Sequence, residues 1–349
     1  MSTNQNLGAL SAHQSLVADS ERVSTDEAEA LARQYYSLRC RAQSIDGERD
    51  GNFVLTTDDG ERFMLKVVHS GEALSVTEAQ TAVLLHIARV APHLPVPRVR
   101  PTVRGAATAV VDAGPAAGRT LRLVTFLAGA PMRSVEPTAA LRGDIGRTLA
   151  EVGLALQSFT HPATAEPMLW DIAQLPKLRP MVTEIAEPRK RDQLLGIIDD
   201  FECRTWPRVK GLRKQAVHND FSADNLLVGT DGASVTGVVD FGDMAFTQLV
   251  NDVAVAAAYN LTDDPDPTGG AVEVINGYQQ IVGLQDAERA VLFDLIAARM
   301  ATRLAITEWR GTRFPENRHY ILRNTPRTWR QLNNLLQASN DEFTRRITP

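Results

Sequence analysis

The chain has 349 residues, 44% hydrophobic and 23% charged, enough to bury one large core or two moderate ones. A formal net charge of −5 with no Lys/Arg-rich run argues against nucleic acid as a substrate, and no apolar stretch approaches the length that crosses a bilayer. Two cysteines, Cys40 and Cys203, are too few for a disulfide framework, so with no secretory signal at the N-terminus the cytoplasm is the expected compartment.

Residues 1–22, rich in Ser, Gln, Asn and Ala and without strong periodicity, are expected to form a mobile extension. Folded structure should begin at Ser24, whose pairing with Glu27 is a capping-box signal, and Ala28, Leu31, Ala32 and Tyr35 give the helix one apolar face. Ala42–Ile45 and Phe53–Thr56 read as strands around a turn with Gly47, Asp50, Gly51 and Asn52. Glycines there let backbone N–H groups approach a phosphate, although an ordinary turn explains so short a loop nearly as well. No Gly-x-x-x-x-Gly-Lys-Ser/Thr run exists, which excludes the P-loop route to nucleotides.

Residues 61–68 alternate as a strand does, with Phe63, Leu65 and Val67 on one face and Met64, Lys66 and Val68 on the other. Lys66 is the only lysine before Lys177, and an amine in an apolar strand requires anionic partners such as a phosphate and a carboxylate. Val76, Gln80, Val83, Leu84, Ile87 and Val90 then recur at helical spacing. Glu78, near the start of that helix, is the expected partner of Lys66; a solvent-facing first-turn glutamate is the alternative. From Ala139 onward the pattern is mostly helical, with Leu141, Ile145, Leu149, Val152, Leu156 and Phe159 in step, and again through 292–306 and after Thr328.

The most informative segment is His218-Asn219-Asp220-Phe221-Ser222-Ala223-Asp224-Asn225, followed by Asp240-Phe241-Gly242. Between them, 226–228 and 235–239 are short β-type runs around a turn-rich stretch, so a hairpin should return Asp240 to the end where Asn225 sits. Phosphoryl transfer needs a carboxylate at the acceptor hydroxyl and further oxygens for a divalent metal. Asp220 fits the first role, and Asn225 with Asp240 fits the second, holding Mg²⁺. Each aspartate alone is an ordinary turn residue; their order and spacing carry the reading. His218 is expected to brace the loop through backbone hydrogen bonds.

These residues resemble the aminoglycoside phosphotransferase and choline kinase superfamily. Residues 48–53, 217–220 and 239–244 are most similar to its hydroxylysine kinase branch. The resemblance covers nearly everything from Val23 onward and implies an α+β, two-lobed protein-kinase-like fold. An N-lobe at 23–127 would hold a small antiparallel sheet and the Glu-bearing helix, and a larger, mainly helical C-lobe at 128–349 the catalytic loop, the metal site and the acceptor site. It implies a kinase for small molecules, using ATP or GTP with Mg²⁺. Asp220 is then the catalytic base, Asn225 and Asp240 the metal ligands and Lys66 the phosphate-binding lysine. Asp252 would brace the catalytic loop, and backbone groups around Val124, Thr125 and Phe126 would bind the nucleotide base.

Two departures from protein kinases bear on substrate: Asn219 stands where regulated kinases carry an arginine, and no Ala-Pro-Glu follows Asp240-Phe241-Gly242. The acceptor is expected to be a hydroxylated small molecule bearing an amine, an amino alcohol or hydroxy amino acid. An aminoglycoside-type antibiotic kinase and a nucleotide-binding regulator without turnover are the alternatives. Asp224, Asp243 and the acidic loop 263–266 are candidates to attract the amine, with solvated loop charge or loop orientation as the plainer role. Trp309 and Arg310, or Arg299 and Arg303, are candidates to meet an acceptor carboxylate; helix packing and surface charge are the alternative for each.

Overall fold

Ser24 accepts a hydrogen bond from the Glu27 N–H at 3.2 Å and caps helix α1, Thr25–Tyr36. The Glu27 carboxylate, instead of reaching back to the cap, accepts from the Ala116 N–H at 3.1 Å. Ala28, Leu31, Ala32 and Tyr36 are the buried face. Tyr36 takes the inward place expected for Tyr35, which is half-buried and exchanges hydrogen bonds with Asp112. The computed structural model describes residues 23–45 and 51–348; the extension 1–22, and Gly47 and Asp50 of the glycine turn, lie outside the described residues.

The chain divides into two compact units. The first comprises residues 23–128 with His161–Ala163 and Gly237–Gly242. Its sheet contains β1 (Cys40–Ile45), β2 (Gly51–Thr57), β3 (Arg62–Val67), the two-residue β4 (Val99–Arg100) and β5 (Ala109–Val110), and β6 (Thr120–Thr125). The order is β1-β2-β3-β6-β4, β5 also pairs β6, and the pairings are antiparallel.

Period-2 alternation gives this sheet two unlike faces. Phe53, Leu55, Phe63, Leu65, Val67, Leu121 and Leu123 pack with Ala28, Leu31, Ala32 and Tyr36 of α1 in one apolar cluster. Each such leucine or valine contributes about 1.5–3 kcal/mol by leaving water. The opposite face carries Asn52, Lys66 and Arg122 as direct neighbours on β2, β3 and β6. Helix α2, Leu74–Val90, lies on that side, since its Gln80 accepts a hydrogen bond from Arg122 at 2.7 Å. Its buried positions include Thr77, Gln80, Val83, Leu84 and Ile87, while Val90 at its C-terminus is exposed.

The second unit comprises 129–160, 164–236 and 243–348. Sequence reasoning assigned everything after 127 to it. The structure instead groups 237–242 with the first unit, because this segment packs there: the Val238 N–H donates to the Pro95 carbonyl at 2.8 Å, and Gly242 lies against Gln80. Two short sheets occur, one ordered β10-β9-β7 and one pairing β8 with β11. Their strands are β7 (Ala130–Pro131), β8 (Lys214–Val217), β9 (Leu226–Val228), β10 (Val235–Val238) and β11 (Ala245–Gln248).

The rest of this unit is mainly helical: α3 (Ala139–Leu156), α4 (Pro188–Asp200), α5 (Leu249–Tyr259), α6 (Gly269–Gln279), α7 (Asp286–Arg313), α8 (Thr325–Gln337) and α9 (Asn340–Arg346). Buried Leu141, Ile145, Leu149, Val152 and Leu156 form the inward face of α3 as their spacing predicts. None of the described helices is long and apolar enough to cross a membrane, and both cysteines are free thiols.

Helices α3 and α6 approach closely enough that a Cβ on Gly146 would stand 1.9 Å from the Val274 carbonyl oxygen, and one on Gly277 2.1 Å from that of Gly143. Backbone on both sides leaves no soft group to yield. Gly146→Ala should therefore destabilise by about 2 kcal/mol or more. Gly196→Ala, on exposed α4 where a Cβ meets nothing within 4 Å, should stabilise by about 0.5–1 kcal/mol. Unfolding midpoints of the full-length variants check both signs.

Candidate active site

In the second unit, β8 is held by β11, Val217 opposite Ala245, and delivers the chain into His218. His218 and Asn219 are fully buried, and their N–H groups need acceptors. Asp252, in the first turn of α5, supplies them: its carboxylate accepts from His218 N at 3.2 Å and from Asn219 N at 2.8 Å. Burial pushes this carboxyl above the usual carboxylate range, opposed by the His218 charge, the two N–H bonds and the Arg299 charge. The anchor lets Asn219 take a left-handed backbone, φ 65°, uncommon outside glycine but tolerated by asparagine. The Asn219 amide donates to the Asp243 carbonyl at 3.0 Å, so Asp243 orients the loop through its backbone. His218 Nδ1 accepts from the Asp220 N–H at 3.3 Å, and its ring meets Phe221 edge-on at 5.5 Å. It braces the loop.

Asp220 is thereby presented half-buried. Its Oδ2 accepts from Asn225 Nδ2 at 2.7 Å, and the same nitrogen reaches the Asp220 carbonyl at 3.0 Å. Asp220 Oδ1 faces Arg299 Nη2 of α7 at 3.3 Å, and Arg299 is only 2% exposed. The sequence leaves Arg299 between an acceptor carboxylate and ordinary helix packing; in the structure its anion is the carboxylate of Asp220. The signal available was its place on the apolar stripe of α7, where an arginine enters only with partners. Asp224 is exposed and paired with Arg133 at 3.2 Å, while Asp263 and Asp266 of the acidic loop pair with Arg327 and Arg346. Those charges are matched on the protein's own surface.

In the first unit, Lys66 is half-buried in the cross-strand row with Asn52 and Arg122. Glu78 is exposed. Gln80 is the α2 residue that turns inward, two positions on, where helical geometry sends a side chain to a different face. Its Oε1 takes the Arg122 bond, and its Nε2 stands 3.2 Å from where a Gly242 side chain would begin, so a side chain there would crowd it. Helical spacing places Gln80 in an otherwise apolar stripe, and a basic residue between Leu121 and Leu123 is the signal in the sequence for its partner Arg122.

Asp240 is exposed, with φ 60°, and its Oδ1 accepts from the Gly242 N–H at 3.0 Å. Val124 pairs with Met64 and Val99 inside the sheet. The Thr125 N–H donates to the Arg98 carbonyl at 2.9 Å and the Phe126 N–H to the Arg62 carbonyl at 3.1 Å. Both N–H groups of this segment, whose backbone is expected to meet a nucleotide base, are bonded within the fold.

Residues 41–291 match the phosphotransferase enzyme family. A hydroxylysine kinase of Danio rerio is 26% identical over 309 residues, covering 85% of this chain and 86% of that protein. Among solved structures, an amicoumacin kinase in complex with AMP-PNP and Ca²⁺ superposes with TM-score 0.62 at 15% identity over 87% of this chain and 88% of that one. A microcompartment-associated aminopropanol kinase gives TM-score 0.59 at 18% identity over 82% and 90%. These structures show the same α+β kinase-like fold. The chain belongs to the phosphotransferase enzyme family and is a small-molecule kinase that phosphorylates an alcohol.

Proposed function

We propose that this kinase transfers the γ-phosphoryl group of ATP or GTP, with Mg²⁺, to the hydroxyl of an amine-bearing amino alcohol or hydroxy amino acid, on the pattern of the hydroxylysine kinase it resembles. The observation that carries the reading is the linkage of Asp220 and Asn225, one bond of 2.7 Å between side chains on a loop fastened by Asp252. Asp220 orients the acceptor hydroxyl and receives its proton as the oxygen attacks. Positioning supplies most of the catalysis, because little covalent chemistry falls to the protein in phosphoryl transfer.

The donors suit a hard cation. Asn225 spends its amide nitrogen on Asp220 and keeps Oδ1 unbonded among the described residues, and Asp240 keeps Oδ2 unbonded in the same sense. The described residues hold no group of three or more His, Cys, Asp or Glu side chains fit for a metal. One amide and one carboxylate oxygen is instead the sparse protein share usual for Mg²⁺, whose remaining ligands are phosphates and water. When bound, the metal neutralises charge on the phosphate oxygens. Lys66, beside Arg122, grips the α/β-phosphates, and this basic pair suits a polyanion better than the exposed Glu78 does.

Asp220→Asn should lower kcat by about 10³-fold or more while nucleotide affinity survives, because the side chain acts on the acceptor. Preserved turnover would refute the role. Asp240→Ala should instead abolish metal-dependent nucleotide binding; titration with Mg²⁺-nucleotide reads this, and unchanged affinity removes Asp240 from the metal site. A panel of hydroxylated amines and aminoglycosides, assayed for phosphate transfer with both ATP and GTP, tests the acceptor class. Transfer only to aminoglycosides would replace it, and nucleotide binding without transfer would make the chain a regulator.

A further inference from the structure

Arg299 and Arg303 lie one turn apart on α7, and both guanidinium groups lie against the Tyr259 ring of α5, at 5.6 and 5.0 Å from its centroid. Their surroundings differ. Arg299 is committed: it donates to Asp220 Oδ1 and to the Tyr259 hydroxyl, each at 3.3 Å, and to the Trp170 carbonyl, with the Trp170 ring centroid 5.5 Å away. The Trp170 segment is fixed in turn by Asp171, which accepts from the Ala173 N–H at 3.0 Å and from the Thr247 hydroxyl at 3.1 Å. Burial keeps the Tyr259 phenol protonated by pushing it upward, so the ring is a neutral platform.

Arg303 is half-buried, yet among the described residues its guanidinium makes no hydrogen bond or ion pair; the Tyr259 ring is its contact. A cation partly removed from water and lacking an anion loses hydration that ring contact alone replaces weakly. Asp220 does not compensate it, because that carboxylate is bound by Arg299 and Asn225. Elsewhere on the unit, arginines of comparable exposure have carboxylates, such as Arg213 with Glu288 and Arg346 with Asp266. The uncompensated charge therefore stands on the same ring as the residue that holds the catalytic carboxylate.

We propose that Arg303, seated on Tyr259, binds the carboxylate of the acceptor, so that among hydroxylated amines this enzyme selects hydroxy amino acids over amino alcohols. Arg299 is the positioning residue of the pair, holding Asp220 and the ring in register. This inference rests on the kinase reading above and narrows its acceptor class. Arginine suits the task because its planar fork matches a carboxylate in two parallel bonds.

The test compares 5-hydroxylysine with its decarboxylated analogue as acceptors for wild type, Arg303→Gln and Arg303→Lys. Wild type should prefer the amino acid, and Arg303→Gln should lower the ratio of kcat/KM values, amino acid over analogue, by about 10- to 100-fold, mainly through KM. Arg303→Lys should restore part of that ratio, since it keeps the charge and loses the fork. Melting midpoints verify that both variants fold; should Arg303→Gln fail to fold, the Arg303→Lys ratio decides. An unchanged ratio in the folded variants, or a wild type with no preference for the carboxylate, overturns the inference and leaves the kinase reading standing. A wild type that phosphorylates neither acceptor overturns both.

Discussion

A buried carboxylate organises the loop that carries Asp220. Asp252 has its place because α5 begins there, and its two oxygens take the N–H groups of His218 and Asn219, which have no water to turn to. Burying a carboxylate costs several kcal/mol unless hydrogen bonds and charges compensate it, and here both do. The result is a loop whose backbone can hold φ 65° at Asn219 and present a half-buried Asp220. Strain of that kind persists only where surrounding bonds over-determine it.

From this anchor the charges alternate. Asp220 is bonded by Asn225 on one oxygen and by Arg299 on the other, and Arg299 is in turn fixed by Tyr259 and Trp170. Each member satisfies its neighbour, so removing one leaves an uncompensated buried group. The same logic governs the first unit, where an antiparallel sheet spends one face on α1 and leaves the other for Lys66, Arg122 and Asn52 beneath α2. The apolar face stabilises the unit.

Much of the site was legible because it is written locally. His218, Asp220 and Asn225 share one short loop, and spacing alone says that a carboxylate and an amide five positions apart can meet. The strand of Lys66 was legible from alternation, since Phe63, Leu65 and Val67 are buried as period two requires. The partners of Arg299 and Gln80 are not legible in the sequence because they come from distant chain: Asp220 lies 79 residues from Arg299, and Arg122 lies 42 from Gln80. Glu78 and Gln80 sit in the same half-turn region, and periodicity that counts only apolar residues cannot tell which polar one is turned inward.

The sequence by itself determined the fold class and the kinase chemistry, because the motifs that carry them depend on side-chain type and short-range spacing. Only the tertiary structure decided that 237–242 packs with the first unit, that the N–H groups of Thr125 and Phe126 are consumed within the sheet, and that Arg299 is held by Asp220 while Arg303 remains without an anion among the described residues. The reason is physical. Whether a buried charge or donor is satisfied depends on which distant elements pack against it, and packing is set by the whole chain.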